Sequence, residues 1–215
     1  MLRKFVLAVQ MRTFLAALVA LCALVWSAPG AAQVTIAFWS QDTGEYFPHA
    51  FVTLRGHMKD GEVVDESYGF TVKTVSPLIL LTDVAGKIDF TEPDYMANSD
   101  VWFELDIDDR QVERVRSLVT EWGDEGDNTY SLNNRNCVHF VAEAMRRSGL
   151  VVEPREELMK KPKSFTIHQM ELNADEVNQL GMSAPDYWAL LEKRDAGAME
   201  AAQTSAGAEA ASGSN

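Results

Sequence analysis

The chain has 215 residues, 47% hydrophobic and 24% charged, which suits one globular domain with terminal extras. Its formal net charge of −13 argues against nucleic acid or an anionic membrane surface as a partner, because both attract basic patches. No basic run long enough to reverse that balance occurs.

Residues 1–32 have the layout of a cleavable export signal. Arg3, Lys4 and Arg12 precede an uninterrupted apolar run at 14–26, and small residues follow at 27–32. The run is shorter than the ~20 residues of a membrane span, so a retained anchor, the one membrane contact expected, is the weaker reading. Cleavage removes three basic residues, no acidic ones and Cys22, leaving 16 Lys+Arg against 32 Asp+Glu. The expected location is periplasmic or secreted, and Cys137 is then a lone thiol where disulfides are permitted.

Beyond the signal, β-branched and aromatic content predicts strands at 34–39, 49–56 and 62–70, with the Lys59-Asp60-Gly61 turn joining the last two as an antiparallel hairpin. Residues 71–98, broken by Ser76-Pro77, Ala85-Gly86-Lys87 and Glu92-Pro93-Asp94, read as a long excursion able to cover a cleft. A strand follows at 101–107. Asp108 then caps a helix, with Gln111 at the capping-box position, Val112, Val115, Leu118, Val119 and Trp122 on one face, and Gly123 as the stop. Residues 164–168 read as a strand, Asn173 as the cap of a short helical turn, and Ser183 as the start of a helix docking through Tyr187, Leu190 and Leu191. The main domain is thus 33–195. Residues 196–215 carry no aromatic or branched apolar side chain and are expected to form a disordered tail.

Chemistry concentrates at Cys137. The polar run 133–136 ends in Asn136, a favoured helix cap, and Cys137, Val141, Ala144 and Met145 recur at helical spacing on one apolar face. A thiol at that position feels the positive end of the helix, which is expected to lower its pKa. A cysteine nucleophile also needs a base, and the base needs a group to fix its tautomer. His139 leaves the same helix at roughly 200° from the thiol and cannot face it. His49, His57 and His168 remain, with His49 the best placed, opening a strand beside a polar loop. Its orienting partner is expected across the hairpin within 65–68. Asp65 is preferred over Glu66, which shares a face with Val64 and Tyr68. Histidine and cysteine show no zinc-ligand spacing, so no metal or other cofactor is expected.

The string Asn136-Cys137-Val138-His139-Phe140-Val141 resembles the N-C-E-H-F-V box of the lecithin:retinol acyltransferase family, with Val138 in place of its glutamate. That family belongs to the circularly permuted branch of the NlpC-type, papain-like hydrolases, in which the histidine strand precedes the cysteine helix. The resemblance covers about residues 34–150 and implies an α+β fold with an antiparallel sheet packed against the cysteine-bearing helix. It implies Cys137 as nucleophile and His49, in Pro48-His49-Ala50-Phe51-Val52, as base. The family's second, orienting histidine has no counterpart here, where Asp65, Glu66 and Ser67 follow instead. Tyr130 is a candidate hydroxyl donor to an oxyanion, though a tyrosine packed at a strand end is the favoured reading.

The expected function is an exported cysteine hydrolase using Cys137, His49 and Asp65 on an amide bond of a cell-wall peptide. Lipid acyl transfer or hydrolysis is the alternative, so the substrate is a peptide or an acyl-lipid. A non-catalytic envelope binding protein of the same fold is a third reading.

Overall fold

Period-two alternation gives this sheet two apolar faces. The computed structural model describes residues 33–42 and 47–212; the expected signal segment and residues 43–46 lie outside the described residues. Strands β1 (Val34–Gln41), β2 (His49–His57), β3 (Val63–Val72), β4 (Val84–Asp89), β5 (Asp100–Ile107), β6 (Thr129–Tyr130) and β7 (Asn178–Ser183) pair antiparallel in the order β6-β4-β3-β2-β1-β5-β7. Along β1 and β2, Ile36, Phe38, Ala50, Val52 and Leu54 enter one core, while Ala37, Trp39 and Phe51 enter another on the opposite face.

Five helices are described: α1 (Pro93–Ala97), α2 (Asp109–Trp122), α3 (Cys137–Arg147), α4 (Pro162–Leu172) and α5 (Ala184–Ser212). The first face is covered by Val112, Val115 and Leu118 of α2, Phe140, Val141 and Met145 of α3, and Phe165 of α4. The second is covered by Ala184, Tyr187, Leu190 and Leu191 of α5. The protein is therefore of α+β class. Asp108 caps α2 in the expected capping box with Gln111. None of these helices is long and apolar enough to cross a membrane.

Some local readings need correction. Residues 164–168 are the middle of α4, not a strand. Pro162 opens that helix, where its missing N–H costs nothing, and Phe165, Thr166 and Gln169 are buried on one side. Asn173 closes α4 as well as opening the expected turn: its carbonyl accepts the Glu176 N–H at 2.9 Å, and its side chain donates to the carbonyls of Gln169 and Val151, at 2.8 and 2.9 Å. The stretch around Gly86 is strand β4, because a Cβ at that position would collide with the Phe70 ring and glycine lets the two strands pack closely. Beyond residue 195, where composition predicts a disordered tail, the backbone is helical through Ser212, and residues 192–205 are exposed. Alanine, glutamate and methionine favour helix locally even without a packed face.

The docked start of α5 is held by a buried carboxylate. Glu104, 1% exposed, accepts the Tyr187 hydroxyl at 2.6 Å and the Arg194 guanidinium at 2.5 Å. A chain ending after Asp195 should therefore unfold in urea within about 0.5 kcal/mol of the full chain. Tyr187→Ala should cost about 2–4 kcal/mol, because it empties a core position and removes a partner from Glu104.

Candidate active site

The loop before α3 fixes the thiol through hydrogen bonds that leave little freedom. Asn136 sits in extended backbone, and its Oδ1 accepts the N–H groups of Val138 and His139 at 2.8 and 3.3 Å. Its Nδ2 donates to the carbonyls of Leu132 and Met159, both at 2.8 Å. His139 completes a capping box by accepting the Asn136 N–H at 3.4 Å, so this histidine serves the helix start and not the thiol. Arg135 lies 3.6 Å over the Trp122 ring and donates to the Asp127 carbonyl, tying the loop to α2. Cys137 follows as the first residue of α3 and is 7% exposed.

The sulfur lies where two strands part. β2 stays paired with β1 as far as His49, and β3 with β4 as far as Val72, but the ladder between β2 and β3 ends at Phe51 and Gly69. The wedge beyond that pair opens into a cleft of about 400 Å³ whose walls include Cys137, His49, Asp89, Tyr95 and Tyr130. The backbone N–H groups of Ala50, Val138 and Cys137 itself face the sulfur. They favour thiolate, but burial outweighs them and pushes the thiol up to about 11. The lowered pKa expected from the helix N-terminus is thus overridden by desolvation.

His49 is positioned by an absent side chain. Its ring crosses β3 over Gly69, where an added Cβ would come within 2.6 Å of Nε2, and that nitrogen reaches to 3.7 Å from Oδ2 of Asp89. Tyr95 meets the ring edge-on with centroids 6.1 Å apart, and its hydroxyl donates to the Phe47 carbonyl at 3.3 Å. Burial pulls the imidazole pKa down to about 4, against the opposing attraction of Asp89. Both members of the resting pair are therefore neutral near pH 7, and no hydrogen bond joins them.

Asp65, the expected orienting carboxylate, is not at this site. The register pairs Asp65 with Arg55, far along β2 from His49, and Asp65 is exposed beside a separate depression of about 190 Å³. Glu66 is engaged elsewhere, accepting Arg116 at 2.5 Å and the Tyr68 hydroxyl at 2.7 Å. The start of β2 lies across from the end of β3, so the partner comes from β4, one strand further on. The legible signal was Gly69, a residue without a side chain amid bulky strand neighbours. His57 stands exposed at the far end of β2, and His168 lies on α4, 3.3 Å from Glu153.

Tyr130 does line the cleft, with its ring 5.7 Å from that of Phe70. Burial first, and then the charge at Cys137, raise its pKa, as they do for Tyr95, so both hydroxyls remain donors across the neutral range. The excursion over 71–98 supplies Thr71, Val72, Val75, Ile79 and Leu80 to the walls. Among the described residues no group of three or more His, Cys, Asp or Glu side chains is placed to hold a metal ion. No family model, curated protein or solved structure matches the chain.

The buried neutral pair makes stability depend on pH at both ends. The His49 pKa falls from 6.5 unfolded to about 4 folded, so the unfolded chain binds more protons between those values and stability is lost as pH drops through them. The loss should amount to about 3 kcal/mol and be absent from His49→Gln, as read by urea unfolding at pH 7 and pH 4. Cys137 acts in the opposite sense: its pKa rises from 9.0 to about 11, so stability declines as pH climbs across that interval, and Cys137→Ser should remove the decline.

Proposed function

We propose that the protein is an exported cysteine acyl hydrolase or acyltransferase with a permuted papain-like fold. The observation that carries this reading is the convergence of Cys137, His49 and Asp89 on one cleft, with Asp89 beside the ring nitrogen Nε2. Asp89 faces Nε2 from 3.7 Å, too far for a hydrogen bond, so in this mechanism it favours a proton on that nitrogen by charge alone and Nδ1 exchanges a proton with the thiol. The sulfur attacks a carbonyl carbon as its proton passes to Nδ1. The tetrahedral oxyanion collapses, the leaving group departs with that proton, and a thioester on Cys137 remains. Water or an acceptor hydroxyl, deprotonated by His49, then attacks the thioester and restores the thiol. Because the resting pair is neutral, deprotonation accompanies attack and no ion pair stands ready beforehand.

The cleft walls favour an apolar acyl group. Phe47, Val72, Val75, Ile79, Leu80 and Leu132 are among the residues lining the cleft, and an acyl chain loses less on leaving water for such walls than a charged peptide does. A cell-wall peptide amide is the second reading, favoured by Lys160 at the cleft wall, which offers an ammonium to a peptide carboxylate.

Nitrophenyl esters of increasing acyl length and muropeptides, each incubated with the protein, distinguish the two. Turnover rising with chain length, with a thioester trapped on Cys137 by acid quench and mass spectrometry, is expected. Released peptide without ester turnover selects the second reading, and inertness toward both leaves a binding protein. Cys137→Ala and His49→Ala should abolish turnover. Asp89→Asn should lower kcat/KM by about 10- to 10³-fold while Asp65→Ala leaves it near the starting value.

Alkylation probes the protonation state directly. Iodoacetamide should modify Cys137 slowly at pH 7 and progressively faster toward pH 11. A rate already at its plateau near neutral pH would mean a preformed thiolate.

A further inference from the structure

The rim of the cleft carries an apolar surface that the chemistry of the thiol does not explain. Val75, Leu78, Leu80 and Leu81 are 63, 55, 71 and 82% exposed, and Phe47, also on the cleft wall, is 67% exposed. Single exposed apolar residues need no explanation, but a contiguous group does. This group sits on a built turn. Ser76 accepts the Leu78 N–H on its hydroxyl at 3.3 Å, and the Leu78 carbonyl accepts the N–H groups of Leu81 and Thr82 at 2.9 and 3.0 Å. Residues 71–82 contain no carboxylate, although the chain has 32 Asp+Glu. Val75 and Leu80 belong both to the exposed rim and to the wall of the cleft that holds Cys137, so rim and cleft share apolar residues.

We propose that this turn docks on the surface of an uncharged or zwitterionic lipid bilayer, so that the cleft opens toward the lipid. The inference rests on the reading of an apolar acyl substrate, since such a group is held in a lipid phase and must leave it to reach the thiol. A short protruding turn with bare leucines inserts shallowly among acyl chains, whereas a flat protein partner would cover only part of it. The charge of −13 selects against anionic lipid, and residues 71–82, free of carboxylates up to Asp83, bring little negative charge to such a contact.

The test uses residues 33–215, which form a compact unit of their own, carrying Cys137→Ala so that turnover does not intervene. Sedimentation with phosphatidylcholine vesicles should carry the protein down, and Leu80→Glu/Leu81→Glu should reduce the bound fraction about tenfold without shifting the melting temperature. Should that double variant fail to fold, Leu81→Trp supplies a second readout, its emission moving to the blue when vesicles are added. Equal sedimentation of parent and variant, or an unmoved Leu81→Trp spectrum, overturns the proposal. So does a doubled mass in light scattering that the glutamates abolish, which identifies the occupant as a second copy of the chain. Hydrolysis of a soluble short-chain ester by the active protein reads the chemistry separately. Ester turnover without vesicle binding sinks the docking alone, and vesicle binding with an inert thiol sinks the catalytic reading alone.

Discussion

The site depends on one break in backbone pairing. An antiparallel ladder that ran on between β2 and β3 would fill the place where the cleft opens, and the thiol would abut a continuous sheet. Instead the ladder stops at Phe51 and Gly69 while the outer partners β1 and β4 keep hold of each strand. Neither strand is left loose, because each keeps its outer partner beyond the point where the two part. α3 fits its N-terminus into that wedge, bringing the sulfur within reach of the Ala50 N–H. The same absence of a side chain at Gly69 lets the imidazole cross to β4. Two features of one short segment thus position both the thiol and the imidazole.

Burial decides the electrostatics. Three backbone N–H groups and the helix start all favour a thiolate, and Asp89 favours an imidazolium, yet desolvation outweighs them at both groups. An ion pair between the two would need each to be charged in surroundings where charge is costly. A substrate entering the cleft changes that balance only if its reacting carbonyl takes up negative charge in place of sulfur. Tyr95 and Tyr130, whose own burial keeps them protonated, line the same cleft, and the Tyr95 hydroxyl already donates to the Phe47 carbonyl.

Much of this was legible in the sequence, and each miss has its own physical cause. The strands β1, β2, β3 and β5, the capped helix α2 and the start of α3 follow from alternation and from caps, which are local signals. Asn136 and Asp108 are capping residues in the structure as in the sequence. Asp89 was not legible, because β4 contains Gly86 and lies within a stretch that punctuation residues seemed to break. Its place beside His49 depends on pairing across three strands, whereas the hairpin register sets Asp65 opposite Arg55, near the turn and far along β2 from His49. The strand expected at 164–168 failed for another reason: a short apolar run has no period of its own, and Pro162 at the first helical position was the better clue.

The roles within the cysteine box bear on how far a short motif argues for chemistry. Asn136 caps the helix, His139 closes the capping box, and Phe140 and Val141 are core residues with no exposed surface. Only Cys137 meets the cleft with a reactive atom. A box of this kind therefore reports first on how a helix begins against a sheet, and any protein needing that junction has reason to use such residues. The argument for chemistry comes from outside the box. His49, Gly69 and Asp89 lie on three different strands, distant from Cys137 in the chain, and they meet where β2 and β3 part, on the cleft that also holds the sulfur.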